Sequence, residues 1–342
     1  MNRIAIITEI LKEPLDEGAK NTVFNLLKQL KKNYKCRVFS INGRGRFDFV
    51  DLNFNLNKLL FSLHFYKTIM GHCDKVLYIP GSSITLATFL RTRLLQLFTR
   101  REVTILALQP ITYNMLEKII IQMIRPQCVI AQSKGTSQRL NKMGIDVRLL
   151  SLGVDNTKYR EMGQETKKIL REKYSIDSNK IVVLHVGHMK SSRNLDWLLH
   201  VKSRIPETVV IFVSSTSTRQ DEELHRRLVR LGITVINDYI PQIEELYNIA
   251  DYYLFPVTRN DASIETPLSV LEAMACNLPI ITTRFGSLQD VFTEDECFHY
   301  ARSPDDVIEI LKRRSLTECD NRSKIKPFTW DEIAGRLWEI LR

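Results

Sequence analysis

No apolar run in this 342-residue chain is long enough to cross a bilayer. The best candidates, residues 59–70 and 115–124, are interrupted by His64 and Lys67, and by Glu117, Lys118 and Gln122, whereas a spanning helix needs about 20 consecutive apolar residues. The opening MNRIAIITEI passes directly into a strand-like pattern without the zones of a signal peptide, so a cytoplasmic chain is expected. Six cysteines (36, 73, 128, 276, 297 and 319) show no CxxC pair and no histidine at ligand spacing. That excludes a zinc ribbon or a redox dithiol motif and predicts six buried, reduced thiols. No Asp-x-Asp pair occurs, and there is neither a short-period repeat nor a low-complexity segment. NGRGRF (42–47) lacks the third glycine of a dinucleotide fingerprint and follows the second strand, so it reads as a basic turn.

What is present is the composition of a folded protein, 44% hydrophobic and 26% charged, in a chain long enough for two domains. Charge is divided unevenly. Residues 1–160 hold 25 Lys and Arg against 11 Asp and Glu, a net +14, while the remainder holds 24 against 28, a net −4. A basic half suits nucleic acid, an anionic membrane or an acidic small substrate. No RNP, helix-turn-helix or zinc pattern accompanies it, so no nucleic-acid partner is expected.

Short β-rich runs alternate with amphipathic helical stretches, the pattern of α/β layers around parallel sheets. Strands are predicted at Ile4–Thr8, Arg37–Ile41, Val76–Ile79, Val103–Leu108 and Cys128–Ala131. They are predicted again at 181–187, 209–215, 233–238, 252–256 and 280–283. Two doubly wound domains joined near residues 153–180 follow from this restart. Ligands of such sheets bind beyond the carboxyl ends of the strands, so the segments after strands are the ones that matter.

Two of these segments carry convergent polar groups. In VGHMKSSRNLDWLL (186–199) a strand ends at Gly187, a helix is expected to begin near Asn194, and His188, Lys190 and Arg193 crowd the loop between them, an arrangement suited to phosphate. In IETPLSVLEAMACNLPI (264–280), Thr266 is the predicted N-cap and Pro267 the first helical residue. Glu265 then lies just outside the helix and Glu272 in its second turn among Leu, Val, Ala and Met, where a buried carboxylate needs a polar partner. Basic loop and capped helix are each ordinary features alone. Together they offer cations and helix N–H groups for phosphate and carboxylates for sugar hydroxyls, the requirements of a nucleotide sugar.

With these residues in view, the second half resembles the donor domain of retaining GT-B glycosyltransferases, family GT4. The similarity runs in order through SLGVDNTKYR (151–160), HVGHMKSSRNLDWLL (185–199), IPQIEELYNIADYYLFP (240–256), IETPLSVLEAMACNLPI (264–280) and FTWDEIAGRLWEIL (328–341). In the first half only the βα start with Gly18 and IAQSKGTSQRLNKMG (130–144) are similar. Departures are also specific. The family's arginine after the loop glycine is His188 here, its following lysine is Arg193, and the first of its paired glutamates is Ile264, with Glu265 beside it. Pro267 replaces a glycine, and Gln109 stands where a first-domain histidine is usual.

The resemblance implies two Rossmann-like doubly wound domains facing across a cleft: an acceptor-side domain at 1–155, a donor-binding domain at 156–325, and a C-terminal helix at 326–342 packing back toward the first domain. It implies retaining transfer of a hexose from a UDP- or GDP-linked donor, with no cofactor and no metal. Arg193, His188 and Glu265 are the expected catalytic residues; Gly18, Gly187, Glu272, Leu268 and Ser269 are expected to bind the donor. The alternative is a catalytically silent nucleotide-sugar-binding protein or partner subunit of the same fold. The acceptor is expected to be lipid-linked or anionic, with peripheral contact to the anionic cytoplasmic leaflet through RTRLLQLFTRR (91–101) and LLFSLHFYKTIM (59–70).

Overall fold

A computed structural model of the protein describes residues 3–56, 61–81, 83–109, 111–216, 220–313 and 319–342. The chain divides into two compact units, one made of Met1–Gly153, Ile264–Thr266 and Trp330–Arg342, the other of Val154–Ser263 and Pro267–Thr329.

In the first unit the chain runs β1 (Ile4–Thr8), α1 (Gly18–Asn33), β2 (Cys36–Ile41), β3 (Leu52–Phe54), α2 (Leu63–His72), β4 (Lys75–Ile79), α3 (Leu86–Thr99), β5 (Glu102–Leu106), α4 (Met115–Met123), β6 (Cys128–Ala131), α5 (Lys134–Asn141) and β7 (Asp146–Leu149). The strands form one parallel sheet in the order β3-β2-β1-β4-β5-β6-β7. β1 and β4 bear buried aliphatic or aromatic residues on both faces, as a strand covered by helices on each side must. Over one face, Phe65 and Ile69 of α2 share a core with Leu95 of α3; Phe89 of α3, Ile121 of α4 and Leu140 of α5 share the next. LLFSLHFYKTIM is therefore largely core: Phe61, Phe65, Tyr66 and Ile69 are buried, and residues 59 and 60 lie outside the described residues.

The second unit continues with α6 (Gln164–Lys173), β8 (Val182–Gly187), α7 (Asp196–Arg204), β9 (Val209–Ser214), α8 (Glu222–Arg230), β10 (Thr234–Ile236), α9 (Ile243–Ile249), β11 (Tyr252–Phe255), α10 (Leu268–Ala275), β12 (Ile280–Thr282), α11 (Leu288–Val291), β13 (Phe298–Tyr300), α12 (Pro304–Arg313) and α13 (Asn321–Lys324). Its parallel sheet has the order β10-β9-β8-β11-β12-β13. The last helix, α14 (Trp330–Leu341), belongs to the first unit, where Trp338 stacks on Tyr34 just beyond α1 at 4.6 Å between ring centres.

Two sequence expectations are corrected here. Cys297 and Cys319 are joined in a disulfide, because the return of the chain after β13 brings their Cα atoms to 5.6 Å. Cys36, Cys73, Cys128 and Cys276 are thiols, and burial pushes Cys36 and Cys73 each up to about 11. The helix of the second constellation begins one residue later than expected: Pro267, at φ −65° and ψ 114°, is the extended cap, and α10 starts at Leu268.

Candidate functional site

In each sheet the strand order reverses once, between β1 and β4 in the first and between β8 and β11 in the second. Connections leave such a point in opposite directions, and the crevice left between them is where open α/β sheets place ligands. In the second unit the flanking loops come from the two constellations read from the sequence, residues 188–195 after β8 and residues 256–263 with Pro267 before α10. They are tied together locally. Asn194, at the left-handed φ of 55°, donates from Nδ2 to the Pro256 carbonyl (2.9 Å) and to Thr258 Oγ1 (2.8 Å).

Arg193 closes the short 3₁₀ turn Ser191–Arg193 that precedes α7. Its side chain folds back over the end of β8, and the residue is only 6% exposed. Space for it is made by Gly187: a methyl group there would lie 2.5 Å from Arg193 Nη1 and 3.2 Å from His185 Nε2. Burial lowers the guanidinium pKa to about 10, with the neighbouring Tyr253 opposing the shift, so the group stays charged at neutral pH. Among the described residues, no carboxylate pairs with it, and its buried Nε has no hydrogen-bond partner. A buried cation without a counter-charge is costly to keep. An anion bound against it would supply the missing counter-charge.

Beneath it, His185 is fully buried on β8, with Nδ1 bonded to the Leu254 carbonyl at 2.7 Å across the β8–β11 junction. Burial pushes its pKa down to about 3; the Leu254 bond opposes the shift, and the nearby Arg193 adds a smaller push downward. The ring is therefore neutral, and with Nδ1 as the donor, Nε2 presents a lone pair toward Gly187 and Arg193. Tyr253 of β11 completes this floor. Its ring lies at an 18° angle to the His185 ring, its hydroxyl donates to the Val186 carbonyl at 3.3 Å, and it also contacts the Ser269 side chain. Through Tyr253 the Arg193 pocket is linked to the first turn of α10. That turn exposes the backbone N–H groups of Leu268 and Ser269, because the helical bonds begin with Val270 N–H to the Pro267 carbonyl.

Glu272 has the polar partner that its apolar setting demands. Tyr247 of α9 donates to Oε2 at 2.8 Å, and the Tyr159 hydroxyl bonds it as well. Burial raises its pKa while these two bonds oppose the rise. Neither tyrosine stood out in the sequence. Both occur inside the segments quoted above, but in aromatic positions that read equally well as core.

The other predicted site residues do not all gather here. Gly187, His188, Arg193, Leu268, Ser269 and Glu272 belong to the second unit; Gly18, Ile264 and Glu265 belong to the first. His188 is half-buried at the start of the loop, and its carbonyl accepts from the Lys190 N–H at 3.0 Å. Gly18 opens α1, and a methyl group on it would come within 3.1 Å of Ile264 Cδ1. Glu265, 3% exposed, accepts from Ser133 Oγ (2.5 Å) and Thr136 Oγ1 (2.6 Å) on Oε1. Ser133 is also the cap of α5, so the carboxylate sits at a helix N-terminus. The same segment is pinned by Glu265 N–H to the Leu108 carbonyl (3.0 Å) and Thr266 N–H to Gln132 Oε1 (2.9 Å). Gln109 bridges to Ser83, whose Oγ lies 3.3 Å from Gln109 Oε1.

Comparison with known proteins agrees with this architecture. HepE from Anabaena, solved in complex with UDP, is 14% identical, with a TM-score of 0.78 over 99% of both chains. Sucrose-phosphate synthase from Thermosynechococcus elongatus is also 14% identical, with a TM-score of 0.77 over 99% of this chain and 98% of that one. Among curated proteins, sulfoquinovosyl transferase SQD2 of Arabidopsis thaliana is 24% identical over 151 residues, which cover 44% of this chain and only 28% of that protein. Residues 180–313, which hold both loops of the candidate site, match the family model described as Glycosyl transferases group 1. The two parallel Rossmann-like units give this chain the GT-B fold of glycosyltransferases.

Proposed function

We propose that the protein is a glycosyltransferase that takes a hexose from a nucleoside diphosphate donor, linked to UDP or GDP, and passes it with retention of configuration to an acceptor held by the basic first unit. The observation that carries this reading is Arg193, a buried cation, unpaired among the described residues, at the switch point of the second sheet and linked through Tyr253 to the first turn of α10. A diphosphate supplies the missing counter-charge. HepE, solved with UDP and with UDP-glucose, has the same fold.

In this reading Arg193, His188 and the N–H groups of Leu268 and Ser269 hold the diphosphate and stabilise the charge that grows on it as the glycosidic bond breaks. Because the helix terminus and the guanidinium supply that positive potential, the reaction proceeds without a divalent cation. Gly187 keeps the guanidinium seated. Glu272, oriented by Tyr247 and Tyr159, accepts from the ribose hydroxyls. The acceptor's proton goes to the leaving phosphate on the same face, so no side chain is needed as base. Glu265 is a positioning residue, holding the segment 264–266 on Ser133 and Thr136. The acceptor is lipid-linked or otherwise anionic, and the first unit meets an anionic membrane surface from the cytoplasmic side.

Thermal shift against a panel of nucleotide sugars, followed by donor turnover and the anomeric configuration of the product by NMR, tests the proposal. Stabilisation by one UDP- or GDP-sugar, turnover in EDTA and a retained anomer are expected. Binding without turnover selects the second reading, a silent nucleotide-sugar-binding subunit. That reading is favoured by Ile264, buried against Gly18 where the resembling family has a carboxylate. No stabilisation by any nucleotide sugar overturns both.

A further inference from the structure

Helix α4 has the composition of a core helix and the exposure of a surface one. Only Ile121 among its residues is buried. Met115 is 74% exposed, Leu116 67%, Ile119 51% and Met123 78%. At 100° per residue these four fall within one 100° arc, opposite Ile121, so the helix presents an apolar stripe outward as well as an apolar contact inward. The neighbouring helix α3, which packs beside α4, also leaves Leu90 and Leu97 exposed. More than half of the large apolar side chains exposed in the described chain lie on α2, α3 and α4. A surface of this kind needs an occupant.

We infer that this α3–α4 face is where the first unit enters an anionic lipid surface, with α4 as the inserting element. Charge decides the occupant. The helices α2, α3 and α4 contain Lys67, Arg91, Arg93 and Lys118 but a single acid, Glu117. Glu117 is occupied in its own capping box, accepting from the Asn114 N–H at 2.9 Å. Arg100 and Arg125, just beyond the ends of α3 and α4, are exposed and add to the same border. Apolar side chains with a predominantly cationic border fit acyl chains below and anionic headgroups at the rim. A second copy of this chain, docked face to face, would oppose the same cations to one another. The inference deepens the membrane contact proposed above and changes its location. Of the arginines in RTRLLQLFTRR, Arg91 turns inward to pair with Glu9 at 2.5 Å, so the insertion falls to α4, a stretch whose sequence suggested only a span too short to cross.

The experiment is flotation of the full-length protein with vesicles of phosphatidylcholine alone and of phosphatidylcholine with phosphatidylglycerol. Binding to the second, released by salt, is expected. The variant Leu116→Gln with Ile119→Gln and Met123→Gln, all at exposed positions, should bind at least about tenfold more weakly. Arg93→Gln with Arg100→Gln and Lys118→Gln should lose the preference for anionic lipid. In a third variant, Ile119→Trp, fluorescence should shift to the blue on those vesicles and be quenched by brominated acyl chains. Wild-type binding with no effect of the α4 substitutions sinks the inference and leaves a membrane contact elsewhere. No binding to either vesicle sinks both. A self-association in sedimentation that the α4 substitutions abolish would assign the face to a second copy instead.

Discussion

Each sheet has an arginine near its switch point, and the two are treated in opposite ways. In the first unit Arg91 of α3 reaches Glu9, directly after β1, at 2.5 Å, and the Tyr78 hydroxyl of β4 donates to the same carboxylate oxygen. Acid, cation and phenol satisfy one another, and burial together with Glu9 holds the Tyr78 pKa well above its usual value. In the second unit Arg193 is more deeply buried and, among the described residues, has no acid, only a glycine that makes room, a neutral imidazole and a tyrosine. The same topology has thus been closed at one switch point and left open at the other. Charge balance, more than sheet geometry, separates a structural junction from a candidate binding site.

Exchanging each arginine for methionine should make that contrast measurable. Arg193→Met removes an uncompensated buried charge, so the midpoint of thermal unfolding should hold or rise while affinity for the nucleotide sugar falls about a hundredfold, the loss of a charge-assisted contact worth about 1.5–3 kcal/mol. Arg91→Met strands Glu9 and should destabilise the first unit by about 1–3 kcal/mol in urea, with nucleotide affinity unchanged. If both variants lose stability alike and neither affects binding, the contrast has no energetic content.

A gentler change sharpens it. Gly187→Ala places a methyl group 2.5 Å from Arg193 Nη1, so the guanidinium must move while keeping its charge. Calorimetric titration should show affinity weaker by about tenfold, with a stability cost near 1 kcal/mol. Wild-type affinity would mean that the seat of Arg193 is not what anions meet.

The remaining expected effect is a pH dependence of stability. His185 has a folded pKa near 3 against 6.5 for a free imidazole. As pH falls below 6.5 the unfolded chain takes up a proton that the folded chain refuses until about pH 3, so folding stability is lost across that window. The slope is at most about 1.4 kcal/mol per pH unit. His185→Phe should flatten it, as read from urea midpoints at several pH values. An unchanged slope would place the acid sensitivity elsewhere.

Much of the frame was legible in the sequence, because buried parallel strands such as IAIIT and VVLHVG announce themselves as continuous β-branched and aliphatic runs. The strands that escaped, β3, β7 and β13, are three or four residues long. The first two leave most of their residues exposed, so no apolar run marks them. Within the site, Arg193 and Glu272 were readable because a charge beside a strand end or within an apolar helix is locally anomalous. Their settings were not. That Tyr159 and Tyr247 use their hydroxyls on Glu272, or that Glu265 finds Ser133 and Thr136 about 130 residues away, depends on contacts that no local spacing encodes. The Cys297–Cys319 bond, across 22 residues, was hidden in the same way.

The path of the chain also limits how such a molecule can be taken apart. Ile264–Thr266 and Trp330–Arg342 are counted with the first unit although they follow the second unit's opening segments in sequence. A fragment cut at residue 154 would carry the Glu265 carboxylate away from the two hydroxyls that satisfy it, and would leave Tyr34 without Trp338. Chimeras that swap sugar donors between relatives would therefore need three junctions beyond the obvious one: the tripeptide at 264–266 and the final helix travel with the N-terminal partner, not with the half in which a linear reading places them.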